Sequence, residues 1–87
     1  MGYHLAKIPR GNYGEISKIE EEVAELRDAD NQDCDVMVLV ELSDLVGAIE
    51  GYLEEKFTGF TIQDLIKMAA ITRRAFENGE RQERHHD

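Results

Sequence analysis

From Glu15 to Phe76 the chain contains no proline, and its apolar residues return at intervals of three and four. This feature constrains the fold most, because an amphipathic helix needs an apolar face at that period and an unbroken row of N–H donors. The pattern predicts three helices. The first runs from Tyr13 or Glu15 to Asp28, with Ile16, Ile19, Val23 and Leu26 as its apolar stripe. After the polar connection DADNQD, the second runs from Cys34 to Lys56. Its apolar face carries Val38, Leu42, Leu45, Ile49, Tyr52 and Leu53. FTGF turns the chain at Gly59. Thr61 and Asp64 then form a capping box with Asp in place of Glu or Gln, opening a third helix. Its inward stripe is Ile62, Leu65, Ala69, Thr72 and Phe76, and Asn78-Gly79 is its C-cap.

The expected fold class is all-α, with residues 1–87 forming a single domain. Residues 1–12, punctuated by Pro9 and Gly11, read as a lead-in loop, and 80–87 as a charged tail frayed at its end. Eighty-seven residues bury only a thin core. An antiparallel helical bundle completed by oligomerisation, as a homodimer or homotetramer, is therefore expected. Gly47 and Gly51 lie inside the second helix, where each costs about 1 kcal/mol against alanine. Beside Ala48 they thin one side of it, for close packing of another helix or for a ligand.

With 19 acidic and 10 basic residues the formal net charge is −9. Such a chain repels nucleic-acid polymers and anionic membranes. Cys34 is the sole cysteine, so no disulfide forms within the chain, and a reducing cytoplasm is the expected setting. The thiol itself reads as inert. The longest apolar run, Val36 to Val40, is too short to cross a bilayer.

Carboxylates stand where a core should be. Glu22 and Glu25, three residues apart, share a helix face beside the Val23–Leu26 stripe. Glu41 and Asp44 repeat that arrangement beside Leu42 and Leu45. Antiparallel packing of the two apolar stripes brings both pairs to one edge of the interface, where four carboxylates repel one another unless cations intervene. One or two hard divalent ions with oxygen ligands, holding a substrate phosphate, resolve the conflict. The alternative is a solvated acidic face, the better reading for Glu20 and Glu21.

EEVAE (Glu21 to Glu25) followed by ELSD (Glu41 to Asp44) resembles the EExxE…ExxD signature of the MazG-like, all-α nucleoside triphosphate pyrophosphohydrolases. The resemblance covers roughly residues 13–78 and suits a short, single-domain, phage-type member. It implies that Glu22, Glu25, Glu41 and Asp44 hold Mg²⁺ or Mn²⁺. Glu21 is implied as an outer partner or as the base for the attacking water, so the catalytic set is Glu21, Glu22 and Glu25. Metal-activated water would attack the α-phosphorus of a (deoxy)nucleoside triphosphate, with (d)GTP as the guess, giving the monophosphate and pyrophosphate.

Phosphates also call for protein cations. Lys18 lies one turn before Glu22 on the same face. Arg73 falls between Ile62, Ile66 and Ala69 on the expected inward half of the third helix. Lys67, Arg74 and Arg81 repeat at sevens on its outer face, which reads as a solvated stripe or, across a dimer interface, as cations for a neighbouring subunit's nucleotide. Tyr3, His4, Ile8, Asn12, Tyr13 and Ile16 either contact a base or cover the open end of the core. His85, His86 and Asp87 read as a mobile terminus. A di-iron bundle is disfavoured, because no histidine follows a helical glutamate by three residues. Two alternatives stand beside the favoured reading: a phosphoribosyl-ATP pyrophosphohydrolase, and a non-enzymatic acidic helical adaptor for a basic partner.

Overall fold

The computed structural model describes residues 4–78. Within them the chain is all-helical: α1 (Ile16–Asn31), α2 (Asp35–Lys56) and α3 (Ile62–Glu77). Tyr3, Arg81, His85, His86, Asp87 and Gly79 lie outside the described residues. No helix among those described is long and apolar enough to cross a membrane.

α1 outruns its expected end at Asp28 by three residues, because nothing in DADN stops a helix. The stop comes at Asp33, which takes φ 55°. Aspartate tolerates that left-handed conformation better than most side chains. The turn lets the Cys34 N–H return to the Ala29 carbonyl at 3.5 Å, and Cys34 becomes the N-cap of α2. α2 then folds back antiparallel on α1. Tyr13 meets Gly51, Glu22 groups with Asp44, and His4 joins Asp28 to Glu41, so numbers rise along one helix as they fall along the other.

The segment before α1 returns along that helix as a strap. Its near end is fixed by the Gly11 N–H donating to Glu21 Oε1 at 2.9 Å. Its far end is fixed by Leu5 and Ala6 N–H groups donating to the two oxygens of Asp28, at 3.0 and 3.2 Å. Glu21 and Asp28 are seven residues apart, two helical turns, so both point to one side. A Cβ at Gly11 would collide with the Ser17 carbonyl. Only glycine lets the strap lie this close.

The side of α1 that meets α2 is not the expected one. The buried residues of α1 are Glu22, Asp28 and Ala29; those of α2 are Glu41, Ala48, Gly51 and Leu53. Ile16 and Val23 are exposed, as are Leu42 and Val46. Val23 sits about 100° round the helix from Glu22. The facing stripes are therefore Lys18, Glu22, Glu25 and Ala29 against Glu41, Asp44, Ala48 and Gly51. Small residues and carboxylates permit the close approach, and the Leu/Val stripes are left bordering an open groove of ≈ 360 Å³ between Val23, Leu26, Val38 and Leu42.

Among the described elements α3 rests on α2 alone, and it buries no residue fully. Ile62 and Leu65 are half-buried, while Ala69, Thr72 and Phe76 of the expected inward stripe are exposed. Arg73, placed by its phase on the inward half, is 70% exposed and approaches Glu77 at 3.8 Å. With no third layer for α3 to meet within one chain, its apolar face stays open. The capping box forms as expected: the Asp64 N–H donates to Thr61 Oγ1 at 3.3 Å, and the Thr61 N–H to Asp64 Oδ2 at 2.9 Å.

Because α3 has little packing behind it, the cap carries much of its order. Thr61→Ala is expected to cost about 1 kcal/mol, or roughly fivefold faster hydrogen exchange of α3 amides by the usual conversion. Exchange in α1 and α2 should not change.

Candidate functional site

Carboxylates from both helices converge on the α1/α2 interface, from buried Glu22 and Glu41 through half-buried Glu25 to exposed Asp44 at its edge. Glu41 is 1% exposed and Glu22 4%. One oxygen each from Glu22, Glu41 and Asp44 lies within 4.8 Å of the others, and the same holds for Glu21, Glu22 and Glu25, and for one ligand atom each from His4, Glu25 and Glu41. The four residues expected as metal ligands, Glu22, Glu25, Glu41 and Asp44, are thus linked in one cluster.

Two protein cations hold its flanks. At one end, Lys18 Nζ stands 3.1 Å from Glu21 Oε1 and 3.1 Å from Glu22 Oε2. The bond to Glu22, with Glu21 beside it, outweighs burial and raises the lysine's pKa. Glu21, read from sequence as solvated, is instead tucked under the strap. The Gly11 N–H, then Lys18, hold its carboxyl below the usual range despite burial.

At the other end His4 bridges the helices, Nδ1 at 2.8 Å from Asp28 Oδ2 and Nε2 at 3.0 Å from Glu41 Oε2. Carboxylates facing both ring nitrogens favour the imidazolium, which alone donates from both. Burial pulls the His4 pKa down, but Asp28 and Glu41 outweigh it and the net shift is upward. The His4 bond, with the Leu5 N–H, Gln32 and the Ala6 N–H, lowers the pKa of Asp28 against its own desolvation.

Between these cations lies Glu25. Burial, followed by the nearby Glu22 and Glu41 carboxyls, pushes it up to about 7. Its neighbours' charge exceeds what Lys18 and His4 offset, so near neutrality Glu25 holds a proton instead. Glu22 Oε1 is buried with no hydrogen-bond donor among the described residues. A buried carboxylate oxygen beside a carboxyl that keeps its proton leaves a place that a cation could take instead of that proton. The donor set of Glu22, Glu41 and Asp44 is all oxygen, which suits a hard divalent ion such as Mg²⁺ or Mn²⁺.

Of the expected phosphate-binding cations, the fold brings Lys18 to the cluster. Lys67, Arg73 and Arg74 are exposed on α3, which rests on α2 alone. Arg73 borders an open apolar hollow with Ile66, Ala69, Ala70 and Phe76. Read from the sequence pattern alone, Asp28 has no role and His4 groups with residues that contact a base or cover the core. A signal for Asp28 did exist: it continues the Glu21, Glu25 phase by three residues. None existed for His4, whose place depends on the strap folding back. A comparison of the chain with protein-family models, with curated proteins and with solved structures gave no match.

In the fold Glu25 binds its proton up to about pH 7, against an ordinary carboxyl value of 4.5. The folded chain therefore holds the extra proton between those values, and this group's contribution to stability falls as pH rises through that window. Glu25→Gln cannot ionise and escapes the loss. In EDTA it should melt above the wild type at pH 8, with the gain shrinking toward pH 4.5. Equal melting temperatures at pH 8 would contradict the charge imbalance.

Proposed function

We propose that this chain is a metal-dependent nucleotide pyrophosphohydrolase of MazG-like type, converting a (deoxy)nucleoside triphosphate to the monophosphate and pyrophosphate. One observation carries the reading: the buried, donor-less Oε1 of Glu22, in a residue whose carboxylate also groups with Glu41 and Asp44 from the facing helix. Desolvating carboxylates in this way is costly unless cations compensate. A structural role would be served more cheaply by apolar side chains.

Glu22, Glu25, Glu41 and Asp44 are the residues that would hold the ion. Bound there, Mg²⁺ or Mn²⁺ would neutralise the carboxylates, draw the substrate's phosphates to them and make water a better nucleophile. Lys18 then lies where a phosphate oxygen would arrive, and offsets the charge that grows on the departing pyrophosphate. Water adds to the α-phosphorus while the bond to the bridging oxygen breaks. Glu21 and Glu25 are the bases bordering the cluster that can take its proton. His4 contacts Glu41 rather than substrate; with Asp28 it fixes where the Glu41 carboxylate sits. (d)GTP is the working substrate.

Self-association belongs to the same reading. Val36 and Leu39 of α2 are 70% and 67% exposed, and Ile66, Met68, Ile71 and Phe76 of α3 are more than half exposed. A helix apolar all round is normally covered. A homodimer or homotetramer would cover these faces, and Lys67, Arg73 and Arg74 would then be offered to a neighbour's nucleotide.

The deciding measurement incubates each NTP and dNTP with Mg²⁺, Mn²⁺ or EDTA and resolves products by anion exchange. Monophosphate with pyrophosphate is expected, and EDTA should abolish both. Glu41→Gln and Asp44→Asn should each reduce turnover at least a hundredfold at unchanged helix content. Full activity in either variant would remove the metal-site reading. Light scattering coupled to size exclusion should give a mass of two or four chains, and a monomer at micromolar concentration would contradict the assembly.

A further inference from the structure

α2 carries two interior glycines, and only one has its cause in this chain. At Gly51 an added Cβ would press into the ring of Tyr13, so the glycine makes room for the aromatic. At Gly47 an added Cβ would meet nothing within 4 Å. That residue weakens the helix while leaving bare backbone facing open space. The space is a cleft of ≈ 410 Å³, within the range of small-molecule sites. Gly47 and Ala48 line it along α2, together with Tyr13, and Lys18, Glu22 and Asp44 border it as well. Glu22, 4% exposed, is the residue whose Oε1 lacks a donor. Cation-binding groups and an aromatic ring thus share one cleft.

We infer that the heterocyclic base of the nucleotide rests on the Gly47–Ala48 backbone against Tyr13, with its α-phosphate at the Glu22–Asp44 end. The inference rests on the pyrophosphohydrolase reading and adds to it the residues that receive the base. Distances along the helix suit it: at 1.5 Å per residue, Gly47 lies about 4.5 Å and Gly51 about 10.5 Å beyond Asp44. A ring carried by a sugar on the α-phosphate reaches that far. The surface offered is a helix side where Gly47 has no Cβ and Ala48 only a methyl, beside the Tyr13 ring, and stacking on aromatics accepts any base. Gly47 therefore admits the ring, and selection among bases falls to other groups at the rim.

Gly47→Leu fills the cleft floor and Gly47→Ala adds one methyl to it. The wild type and both variants would be assayed with dGTP, and with tripolyphosphate, which has no ring, as a competitor. The KM for dGTP is expected to rise at least tenfold in Gly47→Leu and about threefold in Gly47→Ala. Inhibition by tripolyphosphate, Mn²⁺ binding followed by electron paramagnetic resonance, and oligomeric mass should not change. Gly47→Ala should also melt higher than the wild type, so it carries the test if the leucine variant misfolds. An unchanged KM in Gly47→Ala and in any folded Gly47→Leu overturns the base site and leaves the pyrophosphohydrolase reading intact. Loss of the oligomer assigns the glycine to contact between copies, and equal weakening of tripolyphosphate assigns it to the metal end; either result overturns the inference. If the wild type itself turns over no nucleoside triphosphate, the underlying reading fails and the base site with it.

Discussion

Mutual repulsion among the carboxylates between α1 and α2 governs this structure. Glu22 and Glu41 are buried and Glu25 half-buried between two helices whose facing sides carry small residues, Ala29 on α1 and Ala48 and Gly51 on α2. Like charges so placed cannot all stay ionised without compensation. Lys18 at one end and His4 at the other supply part of it, each shared between two carboxylates. The remainder falls on Glu25, which keeps its proton to about pH 7. A divalent cation would replace that proton and give Glu22 Oε1 a partner. The proposed metal site is thus the place where this repulsion is least offset by the protein's own cations.

The strap follows from this constraint. Its backbone donors go to Glu21 and Asp28, carboxylates on the flank of the cluster, and its histidine spans both helices. Residues 4–11 thereby act as a counter-charge and a roof at once. Gly11 allows the close approach, and the strap in turn holds Glu21 against Lys18. The lead-in of the sequence is part of the site.

Carboxylates occupy the helix interface, so the apolar stripes are displaced to its outside. α2 is apolar on nearly every side, and α3 has a well-formed cap but no covered face. A thin core of Ala29, Ala48 and Leu53 contributes little at about 25 cal/mol per Å² of apolar surface. Bound cations and association with other copies, both part of the proposed function, would add stability to such a chain.

The sequence by itself determined the three helices and the Thr61–Asp64 cap, because periodicity and capping are local and act within a few residues. It also determined that Glu22, Glu25, Glu41 and Asp44 would meet, because spacings of three put each pair on one face and a short connection forces the helices to be neighbours. Which faces would meet was not local. Apolar residues at 16, 19, 23 and 26 predict an inward stripe, but α1 buries Glu22 and Ala29 instead, about a quarter turn away. Burial of Glu22 and Glu41 follows from that rotation, whereas Arg73 is exposed because nothing packs over its side of α3, and Glu21 is pinned by the strap. Only the tertiary structure decided the place of His4 and the purpose of Asp28. Their partners come from segments 24 and 37 residues apart in the chain, and no spacing rule reaches across a strap that folds back over its own helix.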